Sequence, residues 1–362
     1  MPSQHRLTQI SCSLADSLGG PTRVAKETHL RFDRFFLESN LVVFGEVDDD
    51  TDADVFPSLF NNRYGVPRKF IWNRAVVTLR NSDVILMHGF YTFVTLFSLM
   101  YGKRDTPYFL MPHGSLEDYQ RVKSKLLKFL FRSIFVTLAR NRNFTFVVAS
   151  EQEKLSIRHQ FPNFRIEIIG LGIEYLGEPT VRQGDATTLN LVCISRIAMK
   201  KRIDLCIGAV KLLQDEGISV ELHILGSGDF QLTNSLKQLV RLLDLVQVVH
   251  FHGHLTRNAI QQILPQMHIF LLPSENENFA IAVAEAISDG LPTVVSDNVA
   301  MHTFVEANAT GIVISELSTE SLSKAILTVK TNIEMYSMNA INSRFQLSWD
   351  EVIKNWEKVL CK

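Results

Sequence analysis

Short apolar runs alternate with helical patterns along almost the whole chain. The runs are rich in Val, Ile and Phe, and most end in Gly, Ser or His before a helical pattern begins. They occupy residues 7–13, 41–45, 83–88, 108–113, 144–149, 166–170, 189–195, 220–226, 248–253, 268–273, 292–296 and 311–315. Runs that are apolar on both faces and alternate with helices are typical of parallel sheets covered by helices. Twelve strands are too many for one sheet, so the pattern predicts an α/β protein with two Rossmann-like domains.

A polar segment without periodicity, residues 177–188, divides the strands into two nearly equal sets. At 362 residues the chain is long enough for two domains. The predicted domains are residues 1–182 and 183–345, followed by a helical pattern over residues 346–362. Two-domain α/β proteins bind ligands in the cleft between the domains, outside the carboxyl ends of the strands. We therefore expect the residues that follow each strand to face such a cleft.

The stretch 271–297 contains a strand end, a polar loop, a short helix, a stop at Gly290 and a further strand. Glu277 lies in the loop, and Glu285 is expected about two turns inside the helix. The helix N-terminus leaves unpaired N–H groups and a partial positive charge, which favour an anion. Carboxylates beside such a helix end indicate a ligand with both phosphate and hydroxyl groups, and a nucleotide-sugar fits.

Two cations follow the first strand of the second half. Arg196 comes directly after the strand, and Lys201 stands at the start of the next helix. Cations at a helix N-terminus suit a diphosphate, although a merely basic surface loop is the alternative. Gly226 and Gly253 end the next two strands, either as simple turns or as places where backbone groups meet a nucleobase.

In the first half, Gly19 and Gly20 precede a helix that begins near Pro21. They either allow a ligand to approach the backbone closely or form only a tight turn. His88 and His113 each follow a strand and precede a glycine. A histidine in such a sequence is either structural or directed at the cleft, and His113 is the better candidate for chemistry.

A basic helical pattern covers residues 121–142, which contain seven Lys and Arg residues and no acidic one. One interpretation is a core helix with a solvated basic face. The other is a helix that rests on an anionic membrane surface, as an enzyme acting on a lipid-linked acceptor would need.

Composition narrows the class of protein. The chain is 46% hydrophobic and 21% charged with a net charge of −1, which argues against nucleic-acid binding. Its four cysteines have no paired spacing, and the N-terminus lacks the apolar core of a signal peptide, so a reduced, cytoplasmic location is expected. The uncharged stretch 84–102 is predicted to be a strand and a helix rather than a membrane span. The acidic segment 45–54 lacks the glycine and glutamate of a calcium loop, and no metal site is predicted.

Residues 190–315 resemble the retaining glycosyltransferases of family four, whose two-domain architecture is called GT-B. The resemblance rests on Ser195-Arg196 with Lys201, Leu225-Gly226-Ser227-Gly228, Phe251-His252-Gly253, Leu272-Pro273-Ser274, Glu277-Asn278-Phe279-Ala280, Glu285-Ala286 and Gly290-Leu291-Pro292. The first half matches loosely, through Gly19-Gly20, His88-Gly89, Pro112-His113-Gly114 and Ala149-Ser150-Glu151.

The resemblance implies a role for each matching residue. Arg196 and Lys201 would hold the donor diphosphate, and Glu285 would bind the ribose. Glu277 would contact the transferred sugar, together with the backbone at Asn278, Phe279 and Ala280. His113 would lie near the donor sugar and the acceptor. The last helix would pack back on the first domain.

The chain departs from the family where Ser195, Arg202 and Ala280 replace its usual glycines, and in the interdomain segment 171–174. We expect Ala280 to add a methyl group near the sugar and Arg202 to add a third cation beside the phosphates.

The implied reaction moves a sugar from a nucleotide-diphosphate-sugar to a saccharide or lipid-linked saccharide acceptor, in polysaccharide or glycolipid assembly. It would retain the anomeric configuration and need neither metal nor cofactor, and the enzyme would work in the cytoplasm or at the inner face of the membrane. The alternatives are a nucleotide-sugar epimerase of the same shape and a non-catalytic nucleotide-sugar-binding protein.

Overall fold

A computed structural model describes residues 3–14, 20–32, 35–45, 47, 53–55, 72–116, 125–184 and 186–360. The chain divides into two compact units, Met1–Gly170 and Leu171–Lys362.

Each unit contains one parallel sheet. The strands are β1 (Ser3–Ser11), β2 (Phe36–Val43), β3 (Asp54–Val55), β4 (Val84–His88), β5 (Tyr108–Met111), β6 (Phe144–Val148), β7 (Arg165–Ile168), β8 (Leu189–Ile194), β9 (Val220–Leu225), β10 (Val249–Gly253), β11 (Ile269–Leu272), β12 (Thr293–Ser296) and β13 (Gly311–Ile314). The first sheet has the order β3-β2-β1-β4-β5-β6-β7 and the second the order β10-β9-β8-β11-β12-β13.

The helices that connect and follow these strands are α1 (Gly20–Phe32), α2 (Trp72–Asn81), α3 (Phe93–Tyr101), α4 (Lys125–Ala139), α5 (Glu151–Gln160), α6 (Ile203–Asp215), α7 (Phe230–Leu242), α8 (Arg257–Ile263), α9 (Ile281–Ser288), α10 (His302–Ala307), α11 (Thr319–Thr331), α12 (Ile333–Ser343) and α13 (Trp349–Leu360). Strands and helices alternate through both units, so the predicted pair of Rossmann-like parallel sheets is confirmed.

The apolar runs mark all the longer strands. Among the described strands, the sequence missed the two-residue β3, which begins at the last residue of the acidic segment and pairs with Val42 and Val43 at the edge of the first sheet. A short edge strand needs no apolar face, because little of it is buried. The helix predicted to begin near Pro21 is α1, which begins at Gly20 and ends at Phe32 before β2 begins at Phe36.

Each unit has a hydrophobic core of its own. In the first unit, strand residues such as Ile10, Ile85 and Phe146 pack with the buried phenylalanines of the helices and loops. In the second unit, one cluster lies between the sheet and α6, α7 and α11, and another lies between the sheet and α9. Burial on both faces explains why most of these strands read as continuous apolar runs.

The division falls twelve residues before the predicted boundary, at Gly170 rather than at residue 182. The intervening segment is held by the second unit through Arg182. Its guanidinium contacts Asp289 Oδ2 at 2.5 Å and the carbonyl of Leu264 at 3.2 Å, and its backbone N–H donates to Ser337 Oγ at 2.9 Å. The polar sequence of this segment did not predict these contacts of Arg182.

The closing helix α13 buries Trp349, Val352, Ile353 and Trp356. It groups with the second unit, and the expectation that it packs back on the first domain stays a prediction.

The uncharged stretch 84–102 forms β4 and α3, as predicted. Among the residues that the structure describes, no helix has the length and apolar character needed to cross a membrane.

Candidate functional site

The loops that follow four neighbouring strands of the second sheet contact one another. The strands are β10, β9, β8 and β11, in that order across the sheet. Gly226 N–H donates to the carbonyl of Gly253 at 2.7 Å, and Glu275 N–H donates to the carbonyl of Lys200 at 2.8 Å. Parallel strands bring their carboxyl ends to the same edge, so the predicted donor-site residues of this unit share one edge of the sheet.

Lys201 and Glu277 form the centre of this site. Lys201 Nζ lies 2.6 Å from Glu277 Oε1, and Lys200 Nζ lies 3.3 Å from the same oxygen. The Lys201 and Glu277 side chains are only 11% and 14% exposed, so the pair is sheltered from solvent screening. Ser274 Oγ is 3.5 Å from Glu277 Oε1. Lys201, assigned to the diphosphate, and Glu277, assigned to the sugar, are therefore adjacent in space although 76 positions separate them in the chain.

Lys200 was not among the predicted site residues. Its ammonium group also donates to the carbonyl of Asn276 at 3.0 Å, which ties the loop after β8 to the loop after β11. The only sequence signal was its position beside Lys201, and a Lys-Lys pair does not show which member faces a site.

The loop that holds Glu277 is fixed on both sides. Glu277 N–H donates to the carbonyl of Asn298 at 3.0 Å, and Ala300 N–H donates to the carbonyl of Glu277 at 3.0 Å. Helix α9 then begins at Ile281, after Ala280 in the left-handed conformation (φ 62°). Asn278 and Phe279 lie between the fixed residue and the helix, where their backbone is held at the N-terminal end of α9.

Glu285 lies one turn inside α9, not two, because the helix begins at Ile281. Its Oε1 is 3.5 Å from Arg257 Nη1, and its side chain is 16% exposed. Arg257 is the first residue of α8, which follows β10, so a carboxylate predicted to bind ribose stands near the segment after β10. Helix α9 ends at Ser288, and Gly290 takes a positive φ of 79°, as the sequence predicted.

The cations after β8 differ in their surroundings. Arg196 is exposed at the strand end, where a ligand would reach it. Arg202, expected beside the phosphates, instead lies 2.9 Å from Asp204 and 3.7 Å from Glu275. Arg202 also adopts φ 49°, a left-handed conformation that glycine takes easily and arginine does not. This conformation accounts for the glycine that is usual at this position in the family that the chain resembles.

Gly226 and Gly228 allow the loop after β9 to run against the loop after β8. A Cβ atom on Gly226 would stand 1.9 Å from the carbonyl oxygen of Ser195, and one on Gly228 would stand 2.0 Å from that of Ile197. Gly253 has a positive φ of 70° and open space where its Cβ would be. The first two glycines are thus required by packing, while contact of Gly226 or Gly253 with a ligand stays a prediction.

In the first unit, His88 and His113 meet at the ends of β4 and β5. His88 Nδ1 lies 3.2 Å from His113 Nε2, and the rings stack with centroids 5.4 Å apart. His88 Nε2 lies 3.1 Å from Gln9 Oε1 on β1. With Gln9 as acceptor, His88 carries its proton on Nε2 and accepts from His113 Nε2–H, so Nδ1 of His113 is the basic nitrogen.

Burial keeps both imidazoles neutral near pH 7. It lowers the pKa of His113 to about 4. Burial, and secondarily the neighbouring His113, lowers the pKa of His88 well below its usual value. The turn around His113 is held by Glu153, which is buried and accepts the N–H groups of Gly114 at 2.8 Å and Ala149 at 3.1 Å.

Gly20 is the first residue of α1, whereas Gly19 lies outside the described residues. The proposed contact of either glycine with a ligand stays a prediction.

Of the basic pattern 121–142, the structure describes residues 125–142. Helix α4 packs inward through Phe135 and Ala139. Its outer face is largely apolar, with the following exposed fractions: Leu126 71%, Leu127 69%, Phe129 66%, Leu130 49% and Ile134 49%. Lys128 lies 5.0 Å from the ring centroid of Tyr91, and Arg132 lies 5.1 Å from that of Phe161. The helix thus has a core face, but its outer face is not the solvated basic surface of the simpler interpretation.

Two successive Rossmann-like units, with cations and carboxylates at the strand ends of the second, define the GT-B class of fold. Residues 182–344 match the model of the family "Glycosyl transferases group 1". This match lies within the second unit.

Relatives by sequence cover part of the chain. The amylovoran biosynthesis glycosyltransferase AmsK of Erwinia amylovora is 29% identical over 145 residues, which are 38% of this chain and 35% of AmsK. The GDP-mannose-dependent alpha-(1-6)-phosphatidylinositol dimannoside mannosyltransferase of Mycobacterium tuberculosis is 25% identical over 170 residues, 46% of this chain and 42% of the relative. The chain spans less than half the length of the curated relatives it matches.

Similarity of fold extends over both units. The structure of Anabaena Alr3699/HepE in complex with UDP and glucose has a TM-score of 0.78 at 16% identity, over 99% of both chains. WaaG, a glycosyltransferase involved in lipopolysaccharide biosynthesis, has a TM-score of 0.70 at 14% identity, over 96% of this chain and 98% of WaaG.

Proposed function

We propose that this chain transfers a sugar from a nucleotide-diphosphate-sugar to a saccharide or lipid-linked saccharide acceptor, in polysaccharide or glycolipid assembly. The observation that carries the proposal is the contact of Lys201 and Lys200 with Glu277 at the carboxyl edge of the second sheet, within residues that match the model of the glycosyl transferases group 1 family. The relative named for amylovoran biosynthesis and the neighbour solved with UDP and glucose support the choice of substrate class.

The donor would lie along this edge. Lys201 and the exposed Arg196 would stabilise the diphosphate as negative charge develops on it, without a metal ion. Glu277 would exchange its contact with Lys201 for the hydroxyl groups of the transferred sugar, beside the backbone of Asn278, Phe279 and Ala280. Glu285 would accept hydrogen bonds from the ribose, and the loops at Gly226 and Gly253 would receive the base.

His113 would act on the sugar or the acceptor through its unprotonated Nδ1. A neutral imidazole accepts a hydrogen bond from a hydroxyl group, and the contacts of His113 Nε2 with His88 fix which nitrogen does so. Retention of the anomeric configuration is proposed from the family resemblance.

Donor binding is tested first by thermal shift with UDP, GDP and their sugar conjugates. A bound nucleotide raises the melting temperature by mass action. Lys201→Met should abolish the shift, because it removes the cation at the diphosphate. Lys211→Ala is the matched control on the adjacent helix α6, where Lys211 forms a surface ion pair with Asp215, and it should leave the shift intact. A nucleotide-dependent shift of equal size in Lys201→Met would contradict the assignment.

Turnover then separates the three classes of protein. With acceptor present, a transferase forms a glycosylated product whose anomeric configuration is read by NMR. An epimerase instead changes the sugar of the donor in the absence of acceptor. A non-catalytic binder gives a thermal shift and no product.

We further propose that the outer face of α4 rests on the anionic inner surface of the cell membrane. Five exposed apolar side chains on one helix exceed what a monomeric surface usually leaves in water, and Lys128 and Arg132 lie on the same helix, which Arg140 directly follows. Phospholipid headgroups of negative charge would pair with these cations while the apolar side chains enter the interface.

Sedimentation with vesicles tests this proposal. The chain should bind vesicles that contain phosphatidylglycerol more strongly than vesicles of phosphatidylcholine alone. Leu126→Ser with Phe129→Ser should weaken that binding about tenfold or more, since each removes exposed apolar area that would become buried in the membrane interface. Leu155→Ser is the control, because Leu155 is 62% exposed on α5, outside this face. Equal loss in both variants would contradict a specific role for α4.

A further inference from the structure

Four polar side chains lie together on one face of the strand pair β9–β10. Glu221 and His223 belong to β9, and His250 and His252 belong to β10, the edge strand of the sheet. His250 stands directly opposite His223 in the parallel register. Alternate residues of a strand point to opposite faces, and the intervening Leu222, Ile224 and Val249 enter the core. The four polar residues therefore share the other face, where a parallel sheet is usually apolar.

The side chains converge on a single point. Glu221 Oε2 lies 3.0 Å from His250 Nε2 and 3.7 Å from His223 Nε2. One ligand atom from each of Glu221, His223 and His250 falls within 4.8 Å of the others. A tetrahedral Zn²⁺ with bonds of about 2.0–2.2 Å places its ligand atoms about 3.3–3.6 Å apart, between the two measured separations. Small side-chain shifts would thus bring all three atoms into coordination.

His252 provides the outer contact that a metal-bound histidine needs. Its Nε2 lies 3.0 Å from His223 Nδ1. When His223 binds a metal through Nε2, its proton resides on Nδ1 and is donated to His252. Such a partner fixes the tautomer and the ring orientation of a ligating histidine.

We propose that Glu221, His223 and His250 bind one divalent transition-metal ion, with Zn²⁺ as the expected species. Two imidazoles and one carboxylate form a ligand set that suits Zn²⁺ and leaves its fourth position to water. The His223 side chain is 16% exposed, and those of His250 and Glu221 are 37% and 39% exposed, so an ion has a route of entry.

The ion would join the edge strand to its neighbour. Two of its ligands come from β9 and one from β10, and the carboxyl ends of these strands hold Gly226 and Gly253 in contact. None of the three ligands is among the residues proposed to bind the donor. The site is therefore independent of glycosyl transfer, and its test requires no substrate.

Metal binding to the full chain tests the proposal after dialysis against EDTA. Titration calorimetry with Zn²⁺ should show one equivalent bound, and Co²⁺ should produce the visible absorption of a tetrahedral site. His223→Gln and His250→Gln should each weaken Zn²⁺ binding at least about tenfold and remove the Co²⁺ band, because each removes a ligand. His252→Gln should weaken binding less, since it removes only the outer contact.

His159→Gln is the matched control, because His159 is an exposed histidine on α5 in the first unit. It should leave the affinity unchanged, and melting curves in EDTA should show that every variant folds. Zn²⁺ affinity that is equal in wild type, His223→Gln and His250→Gln would overturn the proposal. So would a wild-type chain that binds neither ion at concentrations up to about 100 μM, in which case the four residues form only a hydrogen-bonded cluster.

Discussion

At the scale of single residues, the departures from the family's glycines have a conformational cost. Ala280 has φ 62° and Arg202 has φ 49°, a region in which an L-residue costs about 1–2 kcal/mol and glycine costs little. A glycine at either position would match this backbone, and the chain adopts the same conformation with alanine and arginine instead.

Ala280→Gly should raise the free energy of unfolding of the second unit by about 1 kcal/mol. The gain comes from removal of left-handed strain, and the greater freedom of glycine in the unfolded chain offsets part of it. Urea denaturation measures the difference. Ala282→Gly is the control within helix α9, where glycine should instead cost about 0.5–1 kcal/mol. Destabilisation of the same size in both variants would show that no strain resides at Ala280.

The histidine pair of the first unit should make stability depend on pH. Burial lowers the pKa of His113 from 6.5 to about 4 in the folded state. Between these values the unfolded chain binds a proton that the folded chain does not, so the free energy of unfolding falls as the pH decreases from about 6.5 towards 4. The slope contributed by one such group is at most about 1.4 kcal/mol per pH unit.

His113→Gln should reduce the dependence of the free energy of unfolding on pH. Above pH 7 the variant should differ from wild type only by the free energy of the lost contact with His88. The measurement is urea denaturation of wild type and variant at several pH values between 4.5 and 8. Since other histidines also titrate in this range, the difference between the two slopes is the quantity of interest. Parallel curves would mean that His113 titrates equally in the folded and unfolded chain.

At the scale of elements, a buried ion pair joins the segment after β7 to the end of α9. The Arg182 and Asp289 side chains are 3% and 6% exposed. Desolvation raises the pKa of Asp289 and outweighs the opposing effect of Arg182, so the carboxylate depends on its partner to stay charged. Removal of one member of such a pair leaves an uncompensated polar group in the interior.

Arg182→Ala should therefore lower the free energy of unfolding of the second unit by about 3–5 kcal/mol. Chemical denaturation measures the loss. Lys211→Ala, which breaks the exposed pair with Asp215, should cost no more than about 1 kcal/mol in the same unit. Comparable losses in the two variants would contradict the role assigned to Arg182.

At the scale of the whole molecule, the fold followed from local patterns but the contacts of the site did not. Twelve apolar runs predicted the strands because burial on both faces of a parallel sheet leaves a local trace. The contact between Lys201 and Glu277 arises only when β8 and β11 lie side by side. The same holds for His223 and His250, which meet through the register of β9 and β10. Family resemblance supplied roles for single residues, but it did not reveal Lys200 or the pairing of Arg202 with Asp204 and Glu275.

Two separate cores predict two unfolding transitions. The buried clusters of the first unit and those of the second share no residues, and cores of this kind unfold as units of their own. Because the donor residues other than His113 belong to the second unit, UDP or the preferred nucleotide should raise the transition of that unit. At a hundredfold excess over the dissociation constant the gain is about 2.7 kcal/mol.

Differential scanning calorimetry with and without nucleotide measures both transitions. Arg182→Ala should move the nucleotide-sensitive transition to lower temperature, and His113→Gln should move the other one, so the variants assign each transition to its unit. A single transition that nucleotide and both variants shift together would mean that the two cores unfold as one cooperative structure. Nucleotide that raises the transition lowered by His113→Gln, and not the one lowered by Arg182→Ala, would contradict the proposed donor site on the second sheet.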